Sequence, residues 1–181
     1  WIYLAAIAIA FGFYSKYNIL MFVAALLPAI LMTPYRKIFT NKHLYIAILG
    51  GCLLVLPNLY WQYQNDFPTL HQLQALADTQ LVNVNRLDFL KDQGLYFINS
   101  LFIILAALVG FLRYPPFYKY RVIAFIYIFS IALFLLLKAK SYYAVGLYPV
   151  LLAFGAVYIE KLTLEGWKKY LRPAAFLLIG I

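Results

Sequence analysis

Residues 44–61 read LYIAILGGCLLVLPNLYW, a stretch that carries no charged side chain and is apolar apart from Asn58. An α-helix of this length rises about 27 Å, which is close to the ~30 Å hydrocarbon core of a bilayer. We therefore interpret it as a membrane-spanning helix. Gly50 and Gly51 are candidate points for the close approach of a second helix, because small residues let helix backbones come together in membranes.

The rest of the chain has the same apolar character. Its 181 residues are 66% hydrophobic, with a mean hydropathy of +0.83. A soluble chain of this size buries only about 70% of its surface, so this apolar excess requires lipid as part of the solvent. The sequence predicts an all-α integral membrane protein, a polytopic helix bundle of about six spans plus a truncated one, near residues 1–14, 17–32, 44–61, 95–112, 122–137, 142–159 and 174–181.

Basic residues in the connections between spans predict the orientation. Three such connections carry Arg36, Lys37 and Lys42, then Arg113, Lys119 and Arg121, then Lys161, Lys168, Lys169 and Arg172. Positive connections face the cytoplasm, which explains the net charge of +9 without a nucleic-acid partner. The outer loop 62–93 then faces away from the cytoplasm. The chain starts at Trp1 and ends within an apolar segment, so we expect a piece of a longer protein.

Three lysines depart from this orientation. Lys16, Lys138 and Lys140 fall at the outer ends of helices, and Tyr142 and Tyr143 come shortly after Lys140. One lysine near a membrane boundary often only extends its ammonium group into water. Three on the side that usually avoids them favour an anion-binding surface, because ammonium groups and tyrosine hydroxyls both suit a phosphate at head-group depth.

The outer loop 62–93 is long enough to suggest a function, although a mobile loop without a direct role is the alternative. Its apolar spacing predicts two short amphipathic helices, one starting at Pro68 and one around Leu87–Leu90. Asp66 and His71 lie in it, but no HExxH pattern or second ligand pair accompanies them. The residues by themselves predict neither a metal site nor a catalytic centre, and the lone Cys52 predicts no disulfide.

Three blocks carry a resemblance to a known family. They are AIAFGFYSKYNIL at 8–20, VLPNLYWQYQNDFPTLHQL at 55–73 and KAKSYYAVGLYPVLLAFGAVYIEK at 138–161. Together they resemble polytopic glycosyltransferases of the family 39 type. That family comprises bacterial relatives of the dolichyl-phosphate-mannose protein mannosyltransferases and of the lipid A aminoarabinose transferase.

The resemblance implies a GT-C type fold in a bacterial inner (plasma) membrane, with an extracytoplasmic active face. It implies inverting transfer of a sugar from a polyprenyl-phosphate-type lipid donor to a lipid, glycan or protein acceptor, either metal-independent or assisted by a divalent metal. The general base is expected in a loop upstream of this chain, so no residue here is assigned to catalysis. The donor phosphate would contact Lys16, Lys138, Lys140, Tyr142 and Tyr143. The loop that covers the donor would include Trp61, Gln62, Asp66 and His71.

Two other functions fit the residues. A lipid-linked sugar flippase or transporter needs the same phosphate-binding surface, although ion-coupled transporters place ionisable residues near mid-membrane. Here nearly all charges lie at the predicted helix ends. A noncatalytic membrane subunit is the other alternative.

Overall fold

In the computed structural model, which describes residues 1–164 and 170–180, all regular structure is helical. The nine α-helices described there are α1 Ile2–Ser15, α2 Ile19–Leu31, α3 Lys42–Gln64, α4 Pro68–Thr79, α5 Arg86–Leu95, α6 Leu101–Arg113, α7 Arg121–Leu136, α8 Tyr148–Leu162 and α9 Leu171–Ile179. Short 3₁₀ helices connect several of them. The chain forms two compact units, Trp1–Val84 and Asn85–Ile181.

The prediction of an all-α polytopic membrane protein is confirmed. Three helical stretches are long and apolar enough to cross a bilayer, at Lys42–Gln64, Pro115–Leu136 and Ser141–Leu162. Two bent pairs, Ile19–Leu31 with Pro34–Thr40 (107°) and Arg86–Tyr96 with Ile98–Arg113 (67°), raise the number to five if each is one span.

This number is smaller than the six complete spans that the sequence predicts. The difference lies at residues 1–14, where α1 has 14 residues and a length of about 21 Å, short of the ~30 Å core. At the other end of the chain, the predicted span 174–181 corresponds to α9, which begins at Leu171. Lys168, Lys169 and Ile181 lie outside the described residues.

In the first unit, α1 and α3 pack side by side and run in the same direction. The Tyr3 hydroxyl lies 2.7 Å from His43 Nδ1, and the Tyr14 hydroxyl donates to the Leu54 carbonyl at 2.7 Å. Both bonds join residues that are 40 positions apart, so the two helices are parallel. α2 connects them along the chain and runs back in the opposite direction, so Lys16, which follows α1, lies at the same end of this unit as the C-terminus of α3.

In the second unit, α6 and α8 form the corresponding parallel pair. Phe97 lies against Tyr148 near the start of both helices, with ring centroids 4.3 Å apart. Further along, Gly155 faces the Ile103 carbonyl so closely that a Cβ at Gly155 would lie 1.9 Å from that oxygen. This glycine is where two backbones meet.

The glycines that the sequence suggested as close-packing points pack less tightly. A Cβ at Gly51 would meet Ala6 at ordinary van der Waals distance, 3.6 Å or more. At Gly50 nothing described lies within 4 Å. Both sit in an apolar run, but the run does not show which face of α3 meets α1.

Candidate functional site

Lys138 ends α7 in a conformation that usually requires glycine. The φ of Lys138 is +49°, and its N–H donates to the Leu135 carbonyl at 3.4 Å. The N–H of the next residue, Ala139, donates to the Phe134 carbonyl at 2.9 Å. This pair of bonds is the Schellman motif, in which glycine is the usual left-handed residue. Ala139 and Phe134 are both buried and supply the apolar contact that accompanies the motif. The motif leaves the Lys138 side chain exposed at the helix end.

The residues after Lys138 turn directly into a 3₁₀ helix, Ser141–Leu147. The Tyr143 N–H donates to the Lys140 carbonyl at 3.1 Å, and the rings of Tyr142 and Tyr143 meet edge to face with centroids 4.8 Å apart. Lys140 is half-buried and Tyr142 is exposed. The structure therefore brings four of the five predicted phosphate-binding residues into one short segment, residues 138–143, which we call the Lys–Tyr rim.

Two side chains at the end of α5 hold this rim, and a third, at its start, holds the last turn of α7. The Gln93 Nε2 group donates to the Ser141 carbonyl at 3.0 Å, and the Tyr96 hydroxyl lies 2.8 Å from Ser141 Oγ. Arg86 Nε donates to the Leu135 carbonyl at 3.0 Å, in the last turn of α7. Arg86 therefore adds a cation at the end of α7, where Lys138 follows three residues after Leu135.

Sequence reasoning missed Arg86, Gln93 and Tyr96. One signal could have found Gln93, since it follows Phe89 by one helical turn and shares its face. Both side chains are buried, and the Phe89 ring meets Phe134 of α7 at 6.5 Å. The second helix of the outer loop 62–93 is therefore packed by buried side chains, and the role of this loop as a cover for the donor stays a prediction.

Lys16, the fifth predicted phosphate-binding residue, belongs to the first unit. It follows α1 in extended conformation and is exposed, with its N–H bonded to the Gly12 carbonyl at 2.8 Å. The adjacent Tyr17 hydroxyl donates to Asn58 Oδ1 at 3.0 Å and accepts from Gln62 Nε2 at 2.7 Å. Burial raises the pKa of this hydroxyl, but its hydrogen bonds lower it by more, so the pKa lies below the usual value for tyrosine.

The four residues predicted to cover the donor differ in their surroundings. Gln62 is buried and hydrogen-bonds the Thr69 side chain, while its Oε1 accepts from the Thr69 N–H at 3.3 Å. Trp61, Asp66 and His71 are exposed. Gln62 therefore joins α3 to α4 through hydrogen bonds within the protein.

A strained turn separates α3 from α4. Asp66 and Phe67 both have left-handed backbone conformations, with φ of +56° and +53°. The Phe67 N–H is held by the Gln62 carbonyl at 2.7 Å. Such residues cost about 1–3 kcal/mol each and persist where the surrounding contacts fix them.

Across residues 1–164 and 170–180, no group of three or more His, Cys, Asp or Glu side chains could hold a metal ion.

Comparison with known proteins gives one match. The family model described as dolichyl-phosphate-mannose-protein mannosyltransferase matches residues 1–61. No curated protein and no solved structure matches the chain. The match contains Lys16 and ends at Trp61, so the Lys–Tyr rim lies outside it. It supports a membrane glycosyltransferase of the GT-C type.

Proposed function

We propose that this protein is a glycosyltransferase of the family 39 type that takes its sugar from a polyprenyl-phosphate-type lipid donor on the extracytoplasmic side of the membrane. The family match over residues 1–61 supports the class of enzyme. The composition of the Lys–Tyr rim supports the class of donor, since two lysines and two tyrosines lie together at the end of a membrane helix. The acceptor would be a lipid, a glycan or a protein.

The chemistry gives the rim a defined role. Transfer of the sugar leaves a lipid phosphate whose negative charge grows in the transition state. Ammonium groups fixed near that oxygen would stabilise the charge, because preorganised charges act strongly where water is scarce. Tyrosine hydroxyls would donate hydrogen bonds to the remaining phosphate oxygens. The contact of Lys16 with a donor phosphate stays a prediction from the sequence, and the base that activates the acceptor is not assigned to this chain.

Lys138 carries the proposal, because it occupies a position where glycine would be less strained. A left-handed non-glycine residue costs about 1 kcal/mol relative to glycine. Lys138→Gly should therefore remove the ammonium group and leave the fold as stable as before, or more stable. Loss of activity in this variant cannot be attributed to unfolding.

The test is transfer from a polyprenyl-phosphate-linked sugar by the full-length protein in proteoliposomes. We expect Lys138→Gly and Lys140→Ala to lower kcat/KM for the donor by about tenfold or more, the usual effect of losing a charge-assisted hydrogen bond. Lys91→Ala is the matched control. Lys91 is exposed on α5 and paired with Asp88 at 3.4 Å, so its loss should change kcat/KM by less than about twofold.

Full donor kinetics in Lys138→Gly and Lys140→Ala would contradict the phosphate role. Movement of the labelled donor across the bilayer without sugar transfer would instead favour the transporter.

A further inference from the structure

Gln93 lies beneath the Lys–Tyr rim with only 7% of its surface exposed. We propose that Gln93 is the positioning residue of this rim, holding the Ser141 peptide so that the flanking Lys140 and Tyr142 face the donor phosphate. The inference rests on the proposed function and adds to it a residue that does not itself touch the donor.

The amide of Gln93 uses both of its donors and its acceptor. Nε2 donates to the Phe89 carbonyl at 3.1 Å and to the Ser141 carbonyl at 3.0 Å, while Oε1 accepts from the Tyr148 hydroxyl at 2.9 Å. The reverse orientation of the amide would place its oxygen against two carbonyl oxygens. The network therefore fixes which way the amide points.

These bonds join three segments of the second unit. Phe89 belongs to α5, Ser141 to the rim, and Tyr148 to the start of α8, where its side chain is 1% exposed. A buried amide with all of its bonds made holds its neighbours rigidly, because breaking any bond leaves a polar group unpaired.

Ser141 is held at two points. Gln93 binds its carbonyl and the Tyr96 hydroxyl binds its Oγ. Because Ser141 lies between Lys140 and Tyr142, fixing its peptide restricts the backbone directions from which both side chains leave. Small displacements of such groups are costly in catalysis, where a misplacement of about 1 Å can reduce the rate 100-fold.

The experiment compares Gln93→Met with Gln74→Met in the full-length protein. Methionine keeps the length of the glutamine side chain and removes its hydrogen bonds. Gln74 is exposed on α4, so the same change there serves as the control. We would measure KM for the polyprenyl-phosphate-linked sugar, KM for the acceptor, and hydrogen–deuterium exchange of residues 137–147.

In Gln93→Met we expect the donor KM to rise about tenfold, the acceptor KM to stay within about twofold, and deuterium uptake at the rim to increase. Gln74→Met should match the wild type in all three measurements. If Gln93→Met does not fold, Gln93→Asn retains a polar amide but shortens its reach by one methylene. The same rise in donor KM is expected for it.

The outcomes separate this inference from the proposed function. A rim that exchanges faster while the donor KM stays unchanged would make Gln93 structural only and overturn the inference. If Lys138→Gly and Lys140→Ala also leave the donor KM unchanged, the rim does not bind the donor, and the phosphate role in the proposed function fails together with this inference. A raised donor KM in the lysine variants but not in Gln93→Met overturns the positioning role alone.

Discussion

Two buried glutamines have comparable roles at the scale of single residues, one in each unit. Gln62 is 5% exposed and binds Tyr17 and Thr69, and Gln93 is 7% exposed and binds Ser141 and Tyr148. Buried amides are tolerated only when their hydrogen bonds are made. Each glutamine therefore ties its own helix to segments that are distant along the chain.

Gln62→Met should loosen the first unit. The change removes the amide that binds the Tyr17 hydroxyl and both polar groups of Thr69, leaving partly buried groups unpaired. We expect a loss of about 1–3 kcal/mol in the free energy of unfolding. Chemical denaturation in detergent measures the loss, and hydrogen exchange should rise in α4, residues 68–79.

Gln64→Met is the control for this change. Gln64 is exposed and its amide donates only to the Tyr60 hydroxyl, at 2.8 Å, among the bonds in the described part of the chain. Its replacement should cost less than about 0.5 kcal/mol, as is usual for surface positions. Equal effects of the two variants would show that Gln62 does not hold α4.

Gln62 also shows what a sequence leaves open at this scale. The outer loop 62–93 could be recognised from its polarity, and Gln62 was placed within it as a cover for the donor. Its hydrogen-bond partner Tyr17 lies 45 positions earlier, and no local pattern predicts that pairing. The exposed Lys138 was recognised because a charge between apolar runs is conspicuous. Its left-handed backbone conformation was not predicted, because it depends on the hydrogen bonds of the Schellman motif.

At the scale of elements, each unit is organised around one parallel helix pair. The α6–α8 contact is the tighter one, because Gly155 allows the Ile103 carbonyl to approach its Cα directly. Phe111 and Leu151, both fully buried, complete the core beside this contact. A side chain at position 155 would have to push the two backbones apart.

Gly155→Ala should therefore destabilise the second unit. The added methyl group would lie 1.9 Å from the Ile103 carbonyl oxygen. This oxygen belongs to the helix backbone, so it cannot relieve the clash by changing rotamer as a side chain can. We expect a loss of about 3 kcal/mol, at the upper end of the usual range for over-packing. Thermal unfolding in detergent, followed by tryptophan fluorescence or light scattering, would measure it.

The matched control is Gly146→Ala, where no described atom lies within 4 Å of the new methyl group. That variant should keep the melting temperature of the wild type within about 2 °C. An unchanged melting temperature in Gly155→Ala would mean that Gly155 is not needed for the close approach of α6 and α8.

Helix existence was easier to predict than helix ends. The sequence predicts that the third span ends near Trp61, but α3 continues through Pro57 to Gln64. Proline is tolerated inside membrane helices because neighbours can satisfy the carbonyl that loses its partner. The predicted span 95–112 is instead broken at Phe97, since α5 ends at Leu95 and α6 begins at Leu101.

At the scale of the whole molecule, hydropathy predicts the class of fold because lipid requires every spanning segment to satisfy its own backbone. It does not predict how many apolar segments cross the bilayer. The number depends on whether α1 and each of the two bent pairs form a span. The predicted phosphate-binding residues also differ in what supports them. Lys16 lies in the segment that matches the mannosyltransferase family, whereas the Lys–Tyr rim was found from its charge and from the resemblance alone.

The predicted orientation can be tested with single cysteines. In a background where Cys52 and any other cysteines are replaced, Gln72→Cys lies on exposed α4 and Lys37→Cys lies on the 3₁₀ helix Pro34–Thr40. We expect a membrane-impermeant maleimide to label Gln72→Cys in intact cells and Lys37→Cys only after permeabilisation, because basic connections remain in the cytoplasm.

Val145→Cys extends the test to the second unit. Val145 is exposed in the 3₁₀ helix Ser141–Leu147, two residues after the Lys–Tyr rim, so Val145→Cys should be labelled in intact cells as Gln72→Cys is. Restoring Cys52 alone should give no labelling in either condition, since it lies near the middle of α3 and maleimides need water to react. The opposite pattern at Gln72 and Val145 would place Lys16, Lys138 and Lys140 in the cytoplasm. The donor could then not be used on the extracytoplasmic side, and the proposed function would be wrong about the face of the membrane.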